Sequence, residues 1–146
     1  MIEDGELLVK GGSRIKGTNV GFYFRGSKAT LNFEKDTTVS LTAPKSGTMA
    51  GLLFFQDKKV SGGNLKYEIS SDNAPTLLGT IYLPNGHFYA AGDKPVAQSS
   101  AYTIIIAKEI HGAAGPVIVL NSNYNQTDVP VPSGLGNLSN TVALDR

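Results

Sequence analysis

The chain has 146 residues, the length of one domain, and can bury roughly two thirds of the surface that it exposes when unfolded. It carries 13 Lys plus Arg against 12 Asp plus Glu, without a basic block, so the electrostatic footprint of a nucleic-acid-binding protein is missing. The sequence contains no cysteine, which excludes disulfides and thiolate nucleophiles, and no apolar run approaches the ~20 residues of a membrane span.

Short apolar and β-branched runs recur along the chain between clusters of Gly, Asn, Ser and Asp. Turn residues stand on both sides of each run, which is the pattern of strands, and no helical periodicity continues past a Gly or Pro. The predicted strands are Leu7–Val9, Val20–Phe24, Thr30–Phe33, Val39–Thr42, Gly51–Phe55, Leu65–Ile69, Leu77–Leu83, His87–Ala90, Tyr102–Ile106, Ala107–Ile110 and Pro116–Leu120. The sequence therefore predicts an all-β chain.

Alternation and spacing narrow the choice of architecture. The stretches ATLNFEKD and TTVSLTAP alternate apolar and polar residues around a turn at Lys35 and Asp36, as the short strands of a solenoid do. The side chains predicted to point inward are Leu31, Phe33, Val39 and Leu41. The heavier runs recur at intervals of 31, 28 and 23 residues, at Phe22, Leu53, Ile81 and Ile104. Such spacing favours stacked repeats, here a short right-handed parallel β-helix (solenoid) of about four or five coils over residues 1–120. A β-sandwich is the alternative.

The run Leu52–Phe55 places four large apolar side chains in a row. Because successive side chains of a strand point to opposite faces, one pair, Leu52/Phe54 or Leu53/Phe55, is expected inside and the other outside. A loop, the tail or another molecule must then cover the outer pair. Residues 121–146 form a Pro-, Asn- and Gly-rich tail with a last short strand at Thr141–Leu144. Two interpretations stay open for it, a loosely ordered excursion or a strap, whose expected contacts are Tyr124, Val129 and Val131.

Three motifs occur in a characteristic order, TAPKSG at Thr42–Gly47, AGLLFFQD at Ala50–Asp57 and GTIYLPN at Gly79–Asn85. In order and spacing, the chain from Val20 to Ile110 resembles the C-terminal β-rich region of TadG-like Flp/Tad pilus-assembly proteins. The resemblance implies an extracytoplasmic location, in the periplasm or at the cell surface, and a membrane anchor in the full-length protein. It implies no catalytic residue. Cysteines that many relatives carry near the YTIII strand and past the following one have no counterpart here.

The residues able to carry chemistry are few. A glycosidase needs two carboxylates about 5–9.5 Å apart, whereas the acids here are scattered or lie at solvated turns, such as Glu34 and Asp36. Asp57 closes a strand and is expected to act as a turn residue, with a polar ligand site near Asn85 or His87 as the alternative. The two histidines, His87 and His111, are too few to form a metal site unaided and are expected at turn edges. We therefore expect no enzyme, no cofactor and no metal.

The aromatic residues suggest an interaction surface. Tyrosines of neighbouring coils are predicted to line an outer sheet face, either as amphipathic packing or as a platform for a partner. The predicted surface residues are Tyr23, Phe55, Asp57, Tyr67, Tyr82, His87 and Tyr89. The expected function is a non-enzymatic scaffolding or docking module of a Tad-like (Flp) pilus assembly protein, with protein partners of the bacterial envelope or pilus machinery. A carbohydrate-binding or carbohydrate-cleaving β-helix and an adhesin-like surface module stay open as alternatives, so polysaccharide is a second class of partner.

Overall fold

The computed structural model describes residues 1–60 and 63–135. Its elements are β1 (Ile2–Glu3), β2 (Glu6–Val9), β3 (Arg14–Gly17), β4 (Phe22–Arg25), β5 (Thr30–Phe33), β6 (Thr38–Thr42), β7 (Leu52–Gln56), β8 (Lys66–Ile69), β9 (Asn73–Ala91), β10 (Pro95–Val96), β11 (Thr103–Ala113), β12 (Val117–Ile118) and a short 3₁₀ helix, η1 (Tyr124–Gln126). In the described ranges no helix has the length and apolar character needed to span a membrane.

The strands stack into a β-solenoid of about five turns with three faces. Face A contains β1, β4, β7, the middle of β9 and the first half of β11, all paired in parallel. Face B contains β2, β5, β8, the end of β9 and the end of β11, and face C contains β3, β6, the start of β9, β10 and β12. The predicted all-β solenoid is confirmed. The sandwich alternative is wrong, because its sheets would be antiparallel.

The core lies inside the coils and consists of side chains stacked from one coil to the next. On face B the register places Leu7, Leu31, Tyr67, Phe88 and Ile110 in one inward column. The middle three are buried, whereas Ile110 is 53% exposed, because no described strand pairs with β11 on the side away from β9. All four side chains predicted to point inward from β5 and β6 are buried. Each coil thus needs its neighbour to complete its core.

The run Leu52–Phe55 does not alternate as expected. The register of β7 against β9 shifts between Leu52 and Phe54, and this irregularity leaves both Leu53 and Phe54 buried. The prediction that one of the pairs Leu52/Phe54 and Leu53/Phe55 lies inside and the other outside is therefore wrong, because each pair has one buried and one partly exposed member. Aligned positions on face A lie 32, 27 and 24 residues apart, at Phe22, Phe54, Ile81 and Ile105. The intervals read from the sequence were displaced by one residue at two of these positions.

Left-handed backbone conformations make the sharp corners between faces. Asp4 (φ 51°) stacks against Gly26 (φ 85°) at one corner, and the Asp4 carboxylate accepts a hydrogen bond from the Lys28 backbone N–H at 3.1 Å. Asp36 (φ 59°) lies over Gly12 (φ 80°) at the next corner. Asp and Gly are the residues that tolerate this conformation best, so the polar clusters of the sequence mark the corners.

The described part of the tail, residues 121–135, packs back onto the solenoid. The buried Tyr102 hydroxyl donates a hydrogen bond to the Pro130 carbonyl at 2.7 Å, and burial raises the pKa of Tyr102 to about 12. Val129 is buried in the core cluster, and Tyr124 and Val131 pack against it. These contacts support the strap interpretation, which stays a prediction. The last predicted strand, Thr141–Leu144, lies outside the described residues.

Candidate functional site

Three aromatic side chains form a continuous row on the outside of face A. Tyr23, Phe55 and Tyr82 occupy matching positions on β4, β7 and β9, and each is partly exposed. Ring centroids are 5.6 Å apart between Tyr23 and Phe55 and 5.4 Å apart between Phe55 and Tyr82, and the latter two rings are nearly parallel. The same column continues to Ile106 on β11. This aromatic row thus brings together three of the predicted surface residues.

Asp57 lies at one end of the aromatic row and contacts Tyr23, not Asn85 or His87. The Tyr23 hydroxyl donates to Asp57 Oδ2 at 2.6 Å, and the Lys59 backbone N–H donates to Oδ1 at 2.9 Å. The hydrogen bond from Tyr23, followed by that from Lys59, holds the pKa of Asp57 below its usual range. Asp57 also borders a shallow depression of about 210 Å³, whose other lining residues are Arg25, Gly26, Ser27, Lys59 and Val60.

Replacing Tyr23 by Phe is expected to raise the pKa of Asp57 towards its ordinary value, because the strongest donor to the carboxylate is removed. A depressed carboxyl pKa stabilises the fold above the unfolded pKa, and this contribution disappears as the pH falls through the folded pKa. A carbon NMR titration of the Asp57 carboxyl measures the shift. Tyr82→Phe removes a hydroxyl from the same row and should leave Asp57 unchanged; equal titration of all three proteins would contradict the assignment.

Tyr67 does not belong to the outer surface, and its predicted place there is wrong. It is fully buried, its ring packs edge-on against Phe24 at 5.2 Å, and its hydroxyl donates to the Ala29 carbonyl at 2.8 Å. Burial raises the pKa of Tyr67 to about 12. Gly86 leaves room for the ring, since a Cβ there would lie 2.5 Å from it. Alternation in KYEI, with Lys66 and Glu68 outward, dictates this orientation.

A second group of side chains, the His–Glu cluster, lies outside face B and comprises His87, Glu109 and His111. The parallel register pairs His87 on β9 with Glu109 on β11, and Tyr89 with His111. Glu109 Oε2 lies 3.2 Å from His87 Nδ1 and 2.9 Å from His111 Nε2. One ligand atom from each of the three residues falls within 4.8 Å of the other two. In the part of the chain that the structure describes, these three residues form the group able to hold a metal ion.

The electrostatics of the His–Glu cluster centre on the carboxylate. The hydrogen bond from His111, and then the charges of both imidazoles and Lys108, lower the pKa of Glu109. His111 also stacks on Tyr89, with ring centroids 4.4 Å apart and planes 6° apart, and the Lys66 ammonium lies 4.7 Å from the centre of the Tyr89 ring. Tyr89 and His87 of the predicted surface are thus separated from the aromatic row and belong to face B.

The sequence interpretation placed both histidines at turn edges, and this is wrong. His87 lies within β9, which continues past Pro84, and His111 lies within β11. Glu109 was not associated with either histidine. The alternation in EIH and the 22-residue interval between paired positions 87 and 109 were the available signals. Using them requires the register of the last two coils, which the uneven intervals of the sequence do not define.

No protein-family model matches the chain, and no curated protein or solved structure matches it significantly. The resemblance to TadG-like proteins therefore rests on the sequence motifs.

Proposed function

We propose that this chain is a non-enzymatic docking module of a Tad-like pilus assembly protein, acting outside the cytoplasm and binding a protein partner through face A. The observation that carries this proposal is the aromatic row. It keeps three large rings partly exposed on three consecutive coils, and Ile106 extends the apolar column to a fourth. Contiguous exposed apolar side chains of this kind mark interaction sites. Tyrosine and phenylalanine are enriched at protein contacts.

An exposed strand edge adjoins the aromatic row. Ile106 lies on β11, whose only strand partner among the described residues is β9. At the start of β11 the Thr103 N–H donates to the Asn121 carbonyl at 3.2 Å. Beyond Thr103, no described residue forms backbone hydrogen bonds with the other side of β11, and a partner strand can pair with it there. The row and the edge meet at the same corner of the molecule, so one partner can use side-chain burial and backbone hydrogen bonding together.

The stacking of the rings favours a protein partner over a sugar. A sugar ring packs on the flat face of an aromatic ring, but both faces of Phe55 are turned towards neighbours, Tyr23 on one side and Tyr82 on the other. All three residues remain partly exposed, which suits packing against protein side chains. The pilus setting and the extracytoplasmic location rest on the motif resemblance over Val20 to Ile110.

The test is an affinity capture from the envelope fraction of the source organism, with the immobilised chain as bait and mass spectrometry as readout. Phe55→Ser and Tyr82→Ser interrupt the aromatic row, and Leu8→Ser removes an exposed apolar side chain from face B as a control. We expect pilus or secretion components to be captured by the wild type and the Leu8 variant, and lost with the two face A variants.

Circular dichroism spectra first establish that each bait is folded. Equal capture by all four proteins would show that face A is not the docking surface. Recovery of glycan without a protein partner would replace the proposal by carbohydrate binding. Capture of host or matrix proteins without pilus components would indicate the adhesin-like alternative.

A further inference from the structure

We propose that the His–Glu cluster is a binding site for one divalent transition-metal ion, with Zn²⁺ as its occupant, and that the ion clips the last coil of the solenoid onto the coil before it. His87 would bind through Nδ1, His111 through Nε2 and Glu109 through Oε2. This site is independent of the docking function proposed for face A.

The backbone holds the three ligands at a fixed separation. Glu109 and His111 alternate on β11, so both point away from the core, and β11 is hydrogen-bonded to the strand that carries His87. All three ligands lie on two paired strands, so no loop has to become ordered when the ion binds. Sites built on strands are more precise than sites built on loops.

The distances are close to those that zinc requires. With Zn–N and Zn–O bonds of about 2.0–2.2 Å, the ligand atoms of a tetrahedral site lie about 3.3–3.6 Å apart. The carboxylate oxygen is already 3.2 and 2.9 Å from the two ring nitrogens, and all three ligand atoms lie within 4.8 Å of one another. Glu109 and His111 are partly exposed, so small rotations of their side chains bring the three atoms to coordination distance.

The burial of His87 decides which of its nitrogens can bind the ion. His87 is only 5% exposed, and its Nε2 is buried without a hydrogen-bond partner among the residues that the structure describes. Nε2 points away from Glu109 and takes no part in the proposed site, so Nδ1, 3.2 Å from Glu109 Oε2, is the ligand atom. The packing around the ring fixes the direction of Nδ1 towards Glu109.

The donor set selects the class of metal. Two imidazoles and one carboxylate suit Zn²⁺ and its neighbours among the transition metals, whereas Ca²⁺ and Mg²⁺ require oxygen ligands. Of the two lysines beside the cluster, Lys66 is paired with Glu68 at 2.5 Å and lies over the Tyr89 ring, whereas Lys108 acts on Glu109 through its charge alone. Three protein ligands leave a fourth position for water. One carboxylate and two neutral rings leave a bound divalent ion with a net charge of +1.

The experiment is a calorimetric titration of the complete chain with ZnCl₂ in a buffer that does not bind metal. We expect one ion per chain, and Glu109→Gln and His111→Ala should each weaken binding by at least ~10-fold, because removing a ligand costs more than removing its supporting partner. Both positions are exposed enough for the variants to fold. Glu6→Gln removes an exposed carboxylate from the same face, on β2, and should bind like the wild type.

Two further readouts follow the wild type and the three variants. The imidazole NMR resonances of His87 and His111 should shift together on addition of one equivalent of Zn²⁺, and the melting temperature should rise with the ion in the wild type and the Glu6 variant only. Unchanged affinity in Glu109→Gln and His111→Ala would overturn the proposal. So would binding that requires two chains per ion, or an equal response to Mg²⁺.

Discussion

Replacing Phe54 by Ala is expected to lower the free energy of unfolding by about 3–5 kcal/mol, the usual loss for a buried phenylalanine. Phe54 is 1% exposed and lies between several other aromatic rings of the core. Its ring centroid is 5.6 Å from that of Phe22 and 6.2 Å from those of Phe24 and Phe33. Together with Phe54, these rings come from three strands on two faces. The cavity that the alanine leaves therefore cannot close unless a whole coil moves.

The matched control is the next residue, Phe55. It lies on the outer face between Tyr23 and Tyr82, so Phe55→Ala should cost only about 1–2 kcal/mol, from its ring contacts and partial burial. Urea melts of the two variants at the same pH measure both losses. Equal losses would mean that Phe55 is as buried as Phe54, and would remove the exposed surface on which the docking proposal rests.

Replacing Gly51 by Ala is also expected to lower the free energy of unfolding by about 3–5 kcal/mol. Gly51 has φ +75°, and an added Cβ would lie 2.1 Å from the carbonyl oxygen of Pro130 in the tail. The left-handed backbone costs about 1–2 kcal/mol for any non-glycine residue. The tail must also move away, which exposes Val129, worth roughly 1.5–3 kcal/mol, and removes the acceptor of the Tyr102 hydroxyl.

Gly47→Ala separates these two effects. Gly47 has φ +84°, but no described atom lies within 4 Å of the added Cβ. Gly47→Ala should therefore lower the free energy of unfolding only by the cost of the left-handed backbone conformation. Melts of both variants, together with binding of a dye that reports exposed apolar surface, measure the difference. Equal losses and no added dye binding in Gly51→Ala would show that the tail does not act as a strap.

The fold was largely predictable from the sequence, because buried apolar and exposed polar residues alternate along the short strands of a solenoid. Leu31, Phe33, Val39 and Leu41 sit in strands with a clear period of two, and all are buried. The sequence pattern does not predict the strand Arg14–Gly17, because only Ile15 is apolar among its four residues. Local alternation also fails at Leu53, where the shift of register against β9 buries two successive residues. That shift depends on a strand 27 residues away.

The candidate site was predictable only in part, because it depends on which residues lie side by side in different coils. Tyr23, Phe55 and Tyr82 were recognised as surface aromatics, but sequence alone could not show that their rings stack. Tyr67 was misplaced because a tyrosine suits either an interior or a rim. The association of His87 with Glu109 requires the register of β9 with β11, which changes at the corner before Glu109.

The packing of the tail changes the order in which the coils are expected to unfold. In a linear array each coil rests only on its neighbours, so opening begins at an end and spreads inward. Here Pro130 joins Tyr102, at the start of the fifth coil, to Gly51, at the start of the third. Pro130 thus bridges the third and fifth coils past the fourth, and opening of the last coil has to break this contact as well as the strand pairing. Among the described residues the strands of the first coil pair with the second alone, so unfolding is expected to begin there.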